Sequence, residues 1–107
     1  MRTLGIDLDG VVCPNTYGRY QEAKPYADVV DQLKAWHSEG WHILIFTGRP
    51  WSLYEQTKAQ LRDWGVPHDE LIMGKPHMDW FIDDRSVKTV RELALLMEFE
   101  KDGRFRA

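Results

Sequence analysis

Hydrophobic residues fall along this chain in two kinds of run that alternate. Residues 3–8 and 42–47 (HILIFT) are short, nearly continuous apolar stretches, and both predict strands, the second buried on both faces. Residues 70–73 and 79–82 (DWFI) are two shorter strand candidates. Between them the period changes. Val29, Leu33 and Trp36 share one helical face over 27–39, and Gly40 stands where a C-terminal cap belongs. After the break at Gly48-Arg49-Pro50, Ser52 and Glu55 have capping-box spacing. They open a helix with Tyr54, Thr57, Leu61 and Trp64 on one stripe, closed by Gly65. A last helix is predicted from residue 86 or 87 to about 101. Residues 10–26, with Gly10, Pro14, Gly18 and Pro25, read as an irregular loop. Strand–helix alternation of this kind predicts an α/β fold: a Rossmann-like, doubly wound parallel sheet of about four strands, with helices on both faces. One domain over 1–107 accounts for the whole chain.

In such sheets ligands bind beyond the carboxyl ends of the strands, so the polar residues there carry the information. Asp7, Asp9 and Gly10 follow the first strand, and Thr47, Gly48 and Arg49 the second. Gly74 and Lys75 follow the third, and Asp83, Asp84 and Arg85 the fourth. Four carboxylates at one edge repel strongly: two unit charges ~4 Å apart cost about 4 kcal/mol at an effective dielectric near 20. Lys75 alone does not neutralise them. Oxygen donors without a matching His or Cys set point to a hard cation, Mg²⁺ above all. With a metal present, the Thr47 hydroxyl, backbone N–H groups near Gly10 and Gly48, and the Lys75 ammonium suit a bound phosphoryl group. One carboxylate can then attack phosphorus, and a second can protonate the leaving oxygen and activate water. Spacing alone does not say which aspartate does which.

The ordered set Asp7-Leu8-Asp9 followed by Gly10-Val11-Val12, Thr47 in IFTGR, Lys75 in MGKP and Asp83-Asp84 in FIDD resembles the four motifs of the haloacid dehalogenase (HAD) superfamily. Each motif alone is weak, but their order and strand contexts make the set specific, and it spans residues 3 to about 86. The stretches CPNTYGRYQEAKP, QLRDWGVPHDELIMGKP and FIDDRS are similar to the small bacterial capsule-biosynthesis phosphatases of that superfamily. The resemblance implies Asp7 as nucleophile and Asp9 as general acid/base. It also implies Thr47 and Lys75 on the phosphoryl group, with Gly48 and Arg49 beside them as further substrate-side candidates. Asp7, the Asp9 backbone carbonyl and Asp83 would hold Mg²⁺, with Asp84 close by. Arg49 and Arg85 are open between substrate contact and pairing with the carboxylates. Many relatives insert a cap domain after the first motif or between the second and third. Residues 10–26 and 48–74 are too short for one, so a capless enzyme is expected.

The implied activity is a Mg²⁺-dependent phosphomonoesterase that passes through an aspartyl-phosphate. Its implied substrate is a small-molecule phosphate ester, with a sugar-phosphate or glycan precursor suggested by the likeness alone. A phosphotransferase or mutase of the same family is the alternative, weakened by the missing cap, and an inactive HAD-like binding subunit is another. A phospho-receiver domain also uses Asp, Thr, Lys and Mg²⁺. Its acidic pair, however, belongs on the first strand and its phosphorylated Asp on the third, which is the wrong order here.

Composition narrows the picture only slightly. Apolar residues make up 43% and charged residues 29% of the chain, as in ordinary globular proteins. A net charge of −3 disfavours nucleic-acid or anionic-membrane partners. No apolar run approaches a membrane span and the start lacks a signal-peptide layout, so a cytoplasmic location is expected. The only cysteine, Cys13, reads as a small buried hydrophobe. Trp36, Trp64 and Trp80 read as core, and core packing is also favoured for Trp51 over a stacking role toward a sugar or base. Homo-oligomer formation is left open.

Overall fold

The computed structural model describes residues 2–101, in two compact units, one reaching His77 and the other starting at Met78. The first unit holds three strands, β1 (Thr3–Asp7), β2 (His42–Phe46) and β3 (Glu70–Ile72). All pair in parallel in the order β1-β2-β3. Helix α1 (Ala27–Ser38) connects β1 to β2, and α2 (Tyr54–Trp64) connects β2 to β3.

Each element forms where the pattern of apolar residues requires it. In β2, Ile43 and Ile45 are buried while His42, Leu44 and Phe46 are half-buried, as befits the middle strand of the sheet. Helix α1 buries Val29, Val30, Leu33 and Trp36, and Leu61 of α2 joins Leu4, Ile6, Leu8 and Leu71 in the core. The entry to α2 differs from the sequence expectation. Residues Trp51–Leu53 form a 3₁₀ turn, with the Leu53 N–H on the Pro50 carbonyl at 2.9 Å. No side chain caps α2, because Ser52 sits inside that turn rather than at the helix boundary, so the Ser52–Glu55 box does not form.

The second unit is irregular up to α3 (Val90–Lys101). This helix starts later than its pattern predicts. Thr89 accepts the Glu92 N–H at 3.0 Å, and Glu92 reaches back to the Lys88 N–H at 3.2 Å. Thr89 thus caps the helix as in a capping box, but Glu92 bonds the N–H one residue before the cap rather than that of Thr89 itself.

The expected fourth strand at 79–82 is not formed, so among the described residues the sheet has three strands. A run of three apolar residues (Trp80-Phe81-Ile82) does not specify a strand by itself, because only backbone pairing makes it one. Trp80, taken for core, is 86% exposed, with Phe81 and Ile82 exposed beside it. Trp36 is buried as expected, Trp64 is half-buried, and Trp51 is exposed. Among the described residues no helix is long and apolar enough to cross a membrane.

Candidate functional site

The parallel register sets the site. Asp7 lies opposite Phe46, and Phe46 opposite Ile72, so the three chains leave the sheet side by side. Their pairing continues past the strands: Leu8 N–H to Phe46 O at 3.1 Å, Thr47 N–H to Ile72 O at 2.9 Å, and Lys75 N–H to Thr47 O at 2.9 Å. Asp7, Asp9, Thr47, Arg49 and Lys75 are thereby gathered at one edge. Gly10, at φ 96°, lets the chain turn sharply there, with its N–H on the Cys13 carbonyl at 2.7 Å.

Asp7 is half-buried, and Lys75 Nζ approaches its Oδ2 at 3.3 Å. Lys75 also lies over the Phe46 ring, 4.7 Å from the centroid. Burial pushes the Asp7 carboxyl above its ordinary value, and the Lys75 charge only partly opposes this, with Asp9 adding a further push upward. A carboxylate that is poorly hydrated yet faces a cation is suited to attack an electrophile held by that cation.

Asp9 has different surroundings. The Arg49 guanidinium grips it with two hydrogen bonds, Nε to Oδ2 at 3.0 Å and Nη2 to Oδ1 at 2.9 Å. The Thr47 hydroxyl donates to Oδ2 at 3.1 Å and accepts the Arg49 N–H at 3.2 Å. Arg49 is only 1% exposed, so its charge is shielded from water and matched inside the protein. Nη1 goes to Thr57 Oγ1 at 3.2 Å and Gln60 Oε1 at 2.7 Å. The Tyr20 ring lies 4.4 Å from the guanidinium carbon, and Gln60 Nε2 donates to the Tyr20 carbonyl at 2.8 Å. The loop after β1, the turn after β2 and helix α2 therefore meet on one buried cation.

The sequence places Thr47 on the substrate side and leaves Arg49 open between substrate and the carboxylates; here the Thr47 hydroxyl and two Arg49 nitrogens are directed at Asp9, and both residues are buried. Gly48 is exposed and Lys75 is partly exposed. Cys13 is fully buried with its thiol toward Leu8 O and Asp9, and burial pushes its pKa up to about 12. Thr57 and Gln60 were missed as site residues. Their signal was a polar pair on the buried face of an amphipathic helix, which requires an interior partner. Asp83 and Asp84 belong to the second unit; both are exposed, and Asp83 Oδ1 accepts the Arg85 N–H at 2.8 Å.

The ligand atoms that Asp7 and Asp9 themselves offer are oxygens, the chemistry of a hard cation. Among the described residues, however, no group of three His, Cys, Asp or Glu side chains is arranged to hold a metal ion.

No family model and no curated protein matches the chain. Among solved structures, the crystal structure of a protein from Vibrio cholerae is 30% identical, with a TM-score of 0.65, covering 94% of this chain and 99% of its own. The chain belongs to the family of that Vibrio cholerae protein. A Pnkp1/Rnl/Hen1 complex matches at 24% identity and TM-score 0.59, over 89% of this chain and 34% of the other. The D,D-heptose 1,7-bisphosphate phosphatase of B. bronchiseptica, crystallised with magnesium and phosphate, matches at 17% identity and TM-score 0.54, over 80% and 54%. At these lower identities the likeness is one of fold alone.

Proposed function

We propose that this protein is a capless HAD-type phosphomonoesterase that hydrolyses a small phosphate ester through an aspartyl-phosphate on Asp7. The observation that carries the reading is the division of labour between two carboxylates at one strand end. Asp7 is half-buried and hydrogen-bonded by Lys75, while Asp9 is fixed by Arg49 and Thr47. Two carboxylates at one strand end can divide covalent phosphoryl transfer between them, one as nucleophile and one as proton carrier. The fold shared with a phosphatase crystallised with magnesium and phosphate supports the reaction class.

In the first half-reaction an Asp7 oxygen forms a bond to phosphorus while the ester P–O bond breaks, and Asp9 gives its proton to the departing alkoxide. In the second, Asp9 takes a proton from water as the water oxygen bonds to phosphorus. Phosphate leaves, Asp7 is regenerated, and Asp9 again holds the proton it delivers in the next turnover. Lys75 and the backbone N–H of Gly48 bind phosphoryl oxygens. Arg49 and Thr47 act through Asp9, fixing the position of its carboxylate. Asp7 and the Asp9 carbonyl would hold Mg²⁺, and the sequence resemblance adds Asp83 with Asp84 beside it. When bound, the ion neutralises phosphate charge and lets an anionic nucleophile approach.

Release of inorganic phosphate from a panel of phosphomonoesters in Mg²⁺, by wild type and by Asp7→Asn, tests the reading. Turnover by wild type alone supports it. No turnover on any ester, or equal turnover by both proteins, rejects it.

A further inference from the structure

Trp51 stands in the turn that leads from β2 into α2, and it is 58% exposed, so core burial does not explain it. Its position is nonetheless fixed. A Cβ on Gly74 would come within 3.1 Å of the indole Cδ1 and Nε1, so the ring packs against bare backbone that only glycine provides. Gly74 also holds φ 71°, a conformation that favours glycine. Its N–H is tied to the Arg49 carbonyl at 2.9 Å, which fastens the turn carrying Trp51 to the segment carrying Lys75. Tyr54 stacks on the indole, with centroids 5.8 Å apart and planes at 19°. An aromatic surface therefore packs on Gly74, the residue before the lysine that faces Asp7.

We propose that Trp51, backed by Tyr54, is the platform on which the leaving group of the phosphate ester stacks, and that this leaving group carries a ring with a flat face. This rests on the reading of Asp7 and Lys75 as a phosphoryl site. The ring can be a nucleobase or the apolar face of a hexopyranose, since both pack on indole. Lys75 and Gly48 bind the phosphoryl end without regard to what it is attached to, and Trp51 supplies the selection.

The test compares kcat/KM of wild type, Trp51→Ala and Trp51→Phe on a hexose phosphate, a nucleoside monophosphate and glycerol phosphate. For Trp51→Ala, the preference for at least one ring-bearing ester over glycerol phosphate is expected to fall about tenfold, mostly through KM. Trp51→Phe should keep most of that preference, and the ester whose preference falls identifies the ring. An equal loss on all three esters, or no loss on any, overturns the proposal. Calorimetric binding of the same esters to wild type and Trp51→Ala requires no turnover, so it tests the platform even if no ester is hydrolysed. Ring-bearing esters losing more affinity than glycerol phosphate supports it, and equal losses overturn it.

Discussion

Arg49 and Asp9 form a two-pronged ion pair, Nε to Oδ2 at 3.0 Å and Nη2 to Oδ1 at 2.9 Å, with the arginine almost wholly buried. Planar guanidinium and planar carboxylate match in this geometry, and a lysine has no equivalent fork. Removing one partner of a buried pair leaves the other charged and desolvated, at a cost of about 3–5 kcal/mol. Arg49→Ala is therefore expected to lose that much stability in urea unfolding. Arg49→Lys should fold with a smaller loss, yet hold Asp9 poorly and show reduced kcat. A wild-type kcat for Arg49→Lys would mean that the fork does not position Asp9.

Asp7 makes a prediction of opposite sign. Its pKa is raised in the folded state, chiefly by burial, so folding favours the protonated carboxyl. The stability that this contributes is fully present below the ordinary Asp value of about 4 and is lost as pH rises through the higher folded value. At neutral pH the ionised group is thus a burden on the fold. Asp7→Asn should raise Tm relative to wild type at pH 7, with the gain shrinking toward zero below pH ~4. A gain that grows on acidification would contradict the burial of Asp7.

The proton carried by Asp9 predicts a dependence on the leaving group. General acid–base assistance is typically worth ~10²–10⁴ in rate. Asp9→Asn should lose most of that on an alkyl phosphate. The loss should be smaller on p-nitrophenyl phosphate, whose leaving group requires little protonation, and the phosphorylated enzyme should accumulate with that substrate. Rapid-quench kinetics on both substrates reads this directly, and equal losses without an intermediate would assign Asp9 to the fold or the metal.

The metal assignment is tested by chelation. EDTA should abolish turnover and Mg²⁺ restore it. Ca²⁺ should substitute poorly, since it accepts longer bonds and more ligands than the tight octahedron at about 2.0–2.1 Å that Mg²⁺ demands. In metal titrations Asp83→Ala is expected to weaken binding more than Asp84→Ala. The reverse order would exchange their roles.

Much of the first unit was legible because it depends on period and punctuation. The apolar run ending at Phe46, the stripe of Val29, Leu33 and Trp36, and Gly40 after α1 each specify an element locally. The gathering of Asp7, Asp9, Thr47 and Lys75 at one edge followed from parallel strands. The full set of Arg49 partners was not legible, because its side chain reaches into the next helix at Thr57 and Gln60 and across to Tyr20 in the loop after β1, which only the packed fold brings together. The run at 79–82 misled for the converse reason: hydrophobicity marks a segment that can be buried, not one whose backbone is paired. Trp51 shows the same ambiguity, since an indole suits a core and an open platform equally well.

Covalent phosphoryl transfer to Asp7 is read from the intact mass of protein acid-quenched during turnover of a phosphate ester in Mg²⁺. Wild type is expected to carry one added phosphoryl group, mapped to Asp7 by peptide analysis, and Asp7→Asn to carry none and release no phosphate. Steady phosphate release by Asp7→Asn, or a phosphoryl group mapped to another residue, would contradict the account.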